Sequence, residues 1–330
     1  MSFKNLKKLG FGLALSAGAL AVTTMSLPTT AIAAFPEKPI TVVIGWGPGG
    51  GIDRYMRVVQ SYSKKYLGVK MRLVYKPGGG GTVAHNLLVR NLPKTGYTLA
   101  AANIPHQTIP TQISKKGYRL KDIRWVATFS LVPSVVIVKR DSPYKTLADL
   151  VKAAKKDPGR LKAGSPGARS GSAAFHYKWT KLTNTKITLV PYRGGGKMYK
   201  GLLGGEIEIM ATNMNWGVKF KDTVLTLATA SEKRDPLNTE APTFRELGID
   251  YIDYLSRSLT ASVKVPKKKI DTLGKLFRKM SEDKQFKKDL AKKAGINTVF
   301  MNGDDTAAYV ANYVKNSEGV FALMRSKMKK

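Results

Sequence analysis

Residues 39–55 read PITVVIGWGPGGGIDRY and combine three local patterns in direct succession. Strand-forming residues come first, at 40–44, and a glycine-rich turn follows at 47–51. Apolar side chains from Ile52 to Val59 then recur with helical spacing. A strand, a turn and a helix in this order leave bare backbone N–H groups at the positive end of the helix dipole. The stretch therefore predicts an anion-binding turn.

The chain has 330 residues, a length that suggests two domains of ordinary size. Hydrophobic residues make up 43% of the chain and charged residues 24%, which favours a folded globular protein over a disordered one. Because the chain has no cysteine, a lipid-anchored lipoprotein and a disulfide framework are both excluded.

Residues 1–34 have the layout of a secretory signal peptide. Three lysines precede an apolar stretch over 9–22, and an A-x-A cleavage pattern ends at Ala33 or Ala34. The apolar stretch is short for a membrane span. We therefore expect this segment to be cleaved and the mature chain to be periplasmic, a location that suits a secreted protein without disulfides.

The formal net charge of +34 is extreme, and the predicted mature chain retains +31 after loss of three lysines. Three explanations are open: binding of a polyanion or nucleic acid, steering of acidic small molecules, and a general bias toward basic exported proteins. The lysines are spread over many predicted helices rather than grouped in one stripe, which favours the third. No specific nucleic-acid partner is predicted.

Strands and helices alternate through most of the chain, which predicts an α/β fold with a largely parallel sheet. A second glycine turn at 78–81 precedes a helix that Thr82 would cap. Another strand, turn and helix series begins near residue 146, with a small-residue loop at 165–171 and a turn at 192–196. Two α/β units with facing glycine turns would grip an anionic ligand across a cleft.

Further assignments in this scheme depend on apolar runs alone. The segments 124–130 and 134–139 are predicted as two separate strands, and 206–210 as another. The chain from Pro266 onward is predicted to form two or three helices.

Gly45, Gly47 and Gly50 match the dinucleotide fingerprint G-x-G-x-x-G between a strand and a helix. The acidic residue that this motif requires at the end of the next strand is absent, because that strand ends in VYK at 74–76. A lysine there could contact a 2′-phosphate, so an exported, Rossmann-like NADP-binding oxidoreductase stays an alternative. A basic polyanion-binding protein is the other.

Catalytic and metal-binding groups are scarce in the sequence. The three histidines, His85, His106 and His176, form no metal-binding spacing, and no phosphate-loop or nucleophile-elbow motif occurs. Of these, His106 is predicted to line a cleft because it lies in a loop at a strand end. Asp53 would either complement the helix dipole or, as we favour, brace the glycine turn through its amides. No metal, cofactor or enzymatic activity is predicted.

Eight short motifs follow one another over nearly the whole predicted mature chain. They are FPEKPI at 35–40, GPGGGID at 47–53, KPGGGG at 76–81, GYTL at 96–99, VPYRGGG at 190–196, LLGGEIE at 202–208, ASEKR at 230–234 and APTFRELG at 241–248. Each motif is weak alone, but their order and spacing are specific. Together they resemble the solute receptors of tripartite tricarboxylate transporters, the Bug-type periplasmic binding proteins.

The resemblance implies a two-lobed Venus-flytrap fold, type II-like, in which each lobe is an α/β sheet flanked by helices. The implied divisions are a signal peptide at 1–34, a first lobe at 35–134 plus 254–330, and a second lobe at 135–253. The crossovers near 133–135 and 253–256 would form the hinge. The resemblance further implies a monomer that captures an organic di- or tricarboxylate between its lobes and delivers it to a membrane permease.

The implied site combines the amides of Gly49–Ile52 with the second-lobe loop at 165–171 and the turn at 192–194. The chain departs from the family at Arg169, where glycine is usual, and at Arg257, where an aromatic-x-Gly sequence is usual. Both are predicted to add contacts to a second carboxylate, the alternative being solvated surface residues. The predicted ligand-binding residues are Trp46, Gly49, Gly50, Gly51, Ile52, His106, Ser165, Gly167, Arg169, Ser170, Gly171, Tyr192, Arg193, Gly194, Asn213 and Arg257, with Asp53 as the brace.

Overall fold

The computed structural model describes residues 35–114 and 117–328, and the predicted signal peptide lies outside them. The strands are β1 (Ile40–Ile44), β2 (Met71–Tyr75), β3 (Thr98–Ala102), β4 (Ile123–Lys139), β5 (Lys162–Ser165), β6 (Thr188–Pro191), β7 (Ile209–Asn213), β8 (Val224–Thr229), β9 (Tyr254–Ser262) and β10 (Met301–Asn302). The helices are α1 (Gly51–Leu67), α2 (Thr82–Arg90), α3 (Ile109–Ile113), α4 (Leu147–Lys156), α5 (Gly171–Leu182), α6 (Gly195–Leu203), α7 (Met214–Lys219), α8 (Lys267–Glu282), α9 (Lys284–Asp289), α10 (Gly303–Asn316) and α11 (Glu318–Met328).

The predicted α/β class is confirmed, and so is the opening strand, turn and helix. β1 is almost entirely buried, and α1 buries the apolar face that its spacing predicts, including Tyr55, Met56 and Val59. α1 ends at Gly68, whose φ of 73° is in the left-handed region that glycine adopts at helix ends. Local pattern therefore determines this unit.

The strands form one mixed sheet in the order β2-β1-β3-β9-β4-β7-β5-β6, with β8 and β10 also paired to β4. β1 pairs in parallel with β2 and β3, and β5 pairs in parallel with β6 and β7. β4 pairs with β9 as far as Pro133, and with β7 and β8 from Ser134 or Val135 onward. We call the parts before and after this change of partners the first and second sheet halves.

The structure corrects the prediction of two strands at 124–130 and 134–139, because β4 is continuous over 17 residues. The polar residue Ser130 and Pro133 interrupt the apolar run, which suggested a break. Pro133 lies opposite Tyr254, the first residue of β9, so its missing N–H falls at the last pair between β4 and β9. The strand can therefore continue through the proline.

Two other boundaries also differ from the prediction. β7 begins at Ile209 rather than at 206, because the amide of Glu206 donates to Gly201 O in the turn that ends α6. The segment after Pro266 forms four α-helices, α8 to α11, rather than two or three, with a π-helical turn at Leu290–Ala294.

Phe129 of β4 lies at the centre of the core beside the first sheet half. Its ring is fully buried and lies 5.3–6.3 Å from the rings of Tyr55, Phe277, Phe286 and Phe300. These rings come from α1, α8, α9 and the segment before β10, so the C-terminal part of the chain packs back onto the N-terminal part.

The last helix, α11, contacts one helix from each half of the sheet. Phe321 and Met324 of α11 belong to one buried cluster with Ile113 of α3 and Ala173 of α5. α3 follows β3 of the first half, whereas α5 follows β5 of the second. α11 therefore packs against helices from both halves of the sheet.

Candidate functional site

The first glycine turn links the buried end of β1 to the start of α1. Gly49 has a φ of 79°, which favours glycine, and Gly50 occupies the N-cap position of α1 without a side-chain cap. The backbone N–H groups in the first turn of a helix lack partners within the helix. The first turn of α1 can therefore donate hydrogen bonds to an anion.

Asp53 is placed at this turn by the first helical turn of α1. Its Oδ2 accepts a hydrogen bond from the Gly49 amide at 2.8 Å, and its Oδ1 accepts one from the Tyr75 hydroxyl at 2.6 Å. Arg57 Nε lies 3.0 Å from Oδ1. Burial acts to raise the pKa of Asp53, but the hydrogen bonds from Tyr75, Gly49 and Arg57 hold it below its ordinary value. The carboxylate therefore stays charged and faces the turn's own amide.

We expect Asp53→Asn to destabilise the protein by about 1–3 kcal/mol, because a buried acceptor of several hydrogen bonds loses its charge and part of its partners. A carboxylate with a lowered pKa stabilises the fold at neutral pH and loses that contribution as pH falls through its folded pKa. The difference from wild type in urea denaturation should therefore shrink below pH 4. The control, Asp250→Asn, alters an exposed ion pair with Arg245 and should change stability by less than about 1 kcal/mol. An Asp53→Asn protein as stable as wild type at pH 7 would contradict the bracing role.

Arg257 projects from β9 and is 3% exposed. Its Nη1 donates to Asn103 Oδ1 at 2.9 Å, and its Nη2 donates to Asn215 Oδ1 at 3.1 Å and, more weakly, to Asn213 Oδ1 at 3.4 Å. The Nε group has no hydrogen-bond partner among the described residues. Burial lowers the pKa of Arg257 to about 9, and the charge of Arg54 acts in the same direction. The guanidinium is still positively charged at neutral pH.

An inner cavity of about 180 Å³ lies between the first turn of α1, Arg257 and the first turn of α6. α6 begins after Gly194, whose φ is 115°, and also has no side-chain cap. The inner cavity is lined by Trp46, Gly47, Pro48, Gly50, Gly51, Ile52, Asn103, His106, Pro166, Arg193, Gly194, Gly195, Gly196, Lys197, Thr212, Asn213, Trp216, Leu255 and Arg257. Within the described ranges, its lining has three cationic side chains and no Asp or Glu.

A larger outer cleft of about 1230 Å³ adjoins the inner cavity. The two share Trp46, Gly47, Pro166, Arg193, Gly194 and Lys197. The outer cleft is also bordered by the second glycine turn, at 78–80, and by Gly167, Arg169 and Tyr192. The inner cavity therefore opens toward a wider space between the two sheet halves.

Nine of the predicted ligand-binding residues line the inner cavity, three border the outer cleft and four line neither space. The nine are Trp46, Gly50, Gly51, Ile52, His106, Arg193, Gly194, Asn213 and Arg257. Gly167, Arg169 and Tyr192 border the outer cleft. Gly49, Ser165, Ser170 and Gly171 line neither space.

The four residues that line neither space shape the loops around them. Ser165 Oγ donates to Gly167 O at 3.1 Å, and Ser170 caps α5 by accepting from the Ala173 amide. A Cβ at Gly171 would lie 2.6 Å from Pro105 Cγ, so a larger residue would push the first and second halves apart there.

His106 is buried against Trp46, with ring centroids 5.9 Å apart. Burial lowers the pKa of His106 to about 3, and the charge of Arg257 acts in the same direction. The imidazole is therefore neutral and adds no charge to the inner cavity.

Sequence reasoning missed Asn103, Lys197, Asn215 and Trp216. Asn103 directly follows β3, and Asn215 and Trp216 follow β7, so the rule that ligands bind at the carboxyl ends of strands could have found them. The early boundary predicted for β7 obscured this signal. Trp216 also contacts the other half, because the Arg54 guanidinium lies 4.9 Å from its ring centroid.

Residues 35–114 and 117–328 contain no group of three or more His, Asp or Glu side chains that could hold a metal ion. No helix in these ranges is long and apolar enough to cross a membrane.

The described part of the chain thus combines an α/β sheet in two halves with a cation-lined cavity between two helix starts. The model of the tripartite tricarboxylate transporter family receptor matches residues 55–324. The chain belongs to this receptor family.

The chain is also similar to curated relatives and shares its fold with solved structures. The chain is 29% identical to the UPF0065 protein in the gbd 5′ region of Cupriavidus necator, with 94% of each chain covered. Its fold matches that of MatC from Rhodopseudomonas palustris with bound malate, at a TM-score of 0.79 and 22% identity, covering 87% of this chain and 100% of that one. It also matches an R. palustris protein with adipate, at a TM-score of 0.82 and 21% identity, covering 88% and 98%.

Proposed function

We propose that this protein is an extracytoplasmic receptor that captures an organic carboxylate, with two or three acidic groups, and delivers it to a tripartite tricarboxylate-type membrane permease. It acts in the periplasm as a monomer, after removal of residues 1–34, and catalyses no reaction. The ligand is held between a first lobe at 35–134 plus 254–330 and a second lobe at 135–253. Lobe movement uses the segments near 133–135 and 253–256.

The observation that carries this proposal is the buried, unneutralised charge of Arg257 at the inner cavity. Transfer of an ion from water into a protein interior costs several kcal/mol unless a counter-charge or strong hydrogen bonds offset it. Arg257 has only neutral amide oxygens as partners in the described part of the chain. An anionic ligand would supply the missing counter-charge.

The two helix starts support the same ligand chemistry. The first turns of α1 and α6 both border the inner cavity, and neither has a side-chain cap. Helix N-termini stabilise negative charge through their free N–H groups and their dipoles. Carboxylates also appear with two similarly folded proteins, malate in one and adipate in the other.

The NADP-binding alternative has less support from the geometry. Tyr75 stands at the end of β2, where this fingerprint requires a ribose-binding acid, and its hydroxyl donates to Asp53. The described lining of the inner cavity also has no acidic side chain that could accept hydrogen bonds from ribose hydroxyls.

Thermal shift and calorimetry with malate, succinate, adipate, citrate, NADP and polyphosphate test the proposal. At 100 times its Kd, a bound carboxylate should raise the Tm by about 5 °C. Binding in an enclosed site should weaken only mildly between low and high salt, whereas polyphosphate binding should fall steeply. Stabilisation by NADP or polyphosphate and by none of the carboxylates would reject the receptor function.

A further inference from the structure

The described lining of the inner cavity contains positive charge but no acidic side chain that could pair with a cationic group. Arg193, Lys197 and Arg257 line it, and its lining has no acidic side chain among the described residues. Asp53, which directly follows a lining residue in the sequence, lies outside this lining. Its carboxylate accepts hydrogen bonds from Gly49, Tyr75 and Arg57. A ligand ammonium group would therefore meet like charges without a counter-ion.

Among the neutral groups near the cavity, the asparagine side-chain oxygens are occupied, and His106 Nδ1 has no partner among the described residues. The side-chain oxygens of Asn103, Asn213 and Asn215 all accept hydrogen bonds from Arg257. Two buried donors, Arg257 Nε and Asn215 Nδ2, have no partner among the described residues. The unmet hydrogen-bonding capacity beside the cavity therefore includes donors that fit an anion and repel an ammonium group.

Arg257 lies against the first turn of α1, which brings two sources of positive charge together at one end of the cavity. Its Nη2 lies 2.8 Å from where a Cβ of Gly51 would be, and Asn215 Nδ2 lies 2.9 Å from the same point. A guanidinium at the positive end of a helix dipole is unfavourable in the absence of an anion. Within a poorly hydrated site, repulsion between like charges is stronger than in water.

We propose that Arg257 is a specificity-determining residue that restricts this receptor to carboxylates without an amino group. The inference rests on the proposed function and deepens it by naming the substrate class. Ligands of this class carry only negative charges and neutral substituents such as hydroxyl groups. Amino acids with two carboxylates are rejected, although their size and shape are nearly the same.

Malate and aspartate provide a matched pair, because a hydroxyl group in one replaces an ammonium group in the other. Succinate serves as the unsubstituted reference. By calorimetry at pH 7, we expect malate to bind within about tenfold of succinate and aspartate to bind at least about 30-fold more weakly than malate. Glutarate and glutamate give the same comparison for a chain longer by one carbon.

The variants Arg257→Gln and Arg257→Lys assign the discrimination to a residue. Arg257→Gln removes the charge, so malate binding should weaken while the malate-to-aspartate ratio falls below about fivefold. Arg257→Lys retains a charge and should retain most of the ratio. The exposed Arg72→Gln, which lies outside the inner cavity and the outer cleft, is the matched control and should keep the ratio near that of wild type.

The outcomes separate this inference from the proposed function. If malate and aspartate bind the wild-type protein within threefold of each other, the selectivity is wrong and carboxylate capture stands. An unchanged ratio in a folded Arg257→Gln protein would remove Arg257 as its origin. If that variant does not fold, Arg257→Lys and the wild-type ligand pairs decide. Failure of every carboxylate to bind would reject both.

Discussion

Gly51→Ala should weaken binding of the tightest carboxylate in the panel at least about 100-fold. The added Cβ would lie 2.8 Å from Arg257 Nη2 and 2.9 Å from Asn215 Nδ2. Both side chains are buried, so the guanidinium has little room to move away from α1. The added methyl group would push the guanidinium away from the N-terminus of α1. The anion could then no longer contact both groups at the position where we expect it to bind.

This substitution should affect binding far more than stability. Alanine is favoured over glycine in a helix by about 1 kcal/mol, which offsets part of the cost of moving Arg257. Calorimetry gives the affinity and urea denaturation gives the stability of the same sample. Gly319→Ala in α11 is the matched control, because its Cβ would have no atom within 4 Å. It should bind like wild type. If Gly51→Ala binds within threefold of wild type, the proposed anion position is wrong.

Phe129→Ala should lower the free energy of unfolding by about 3–5 kcal/mol, the range for large-to-small changes at buried aromatic residues. The ring is fully buried among four other rings, and these come from four separate segments. Several of these segments are held by many other contacts, so the space left by the ring should collapse only in part. A cavity would therefore remain beside β4.

Urea denaturation measures this loss, with an unchanged m-value showing that the same cooperative unit unfolds. Leu247→Ala is the control, because Leu247 is 42% exposed and its truncation should cost less than about 1 kcal/mol. A loss below about 1.5 kcal/mol for Phe129→Ala would mean that the core rearranges to fill the space.

Much of the fold follows from patterns within short segments. The alternation of strands and helices predicts the α/β class, and the run from β1 into α1 is set by adjacent residues. The motifs of the receptor family are also local in the sequence, and their order identifies the family before any coordinates are known. By contrast, the break predicted inside β4 is wrong. Pro133 lies where the partner of β4 changes from β9 to β7 and β8, so the strand can continue through a residue without an N–H group.

Unlike the fold class, the candidate site depends on segments that are far apart in the sequence. Arg257, Asn103 and Asn215 are separated by up to 154 positions in the chain, yet one guanidinium donates to both asparagines. No local pattern in the sequence marks Asn103 or Asn215 as its partner. Their meeting depends on the insertion of β9 between β3 and β4 and on the return of β7 to the other side of β4.

The sequence by itself determined the strand, turn and helix start at α1, the position of Asp53 beside this turn, the receptor family and the unusual presence of Arg257. These features depend on residues close together in the chain, where spacing alone fixes geometry. Only the tertiary structure decided that Arg257 is buried without an acid and that its neutral partners are occupied. Burial and charge neutralisation are properties of all the segments packed around a group, and strand order sets which segments those are.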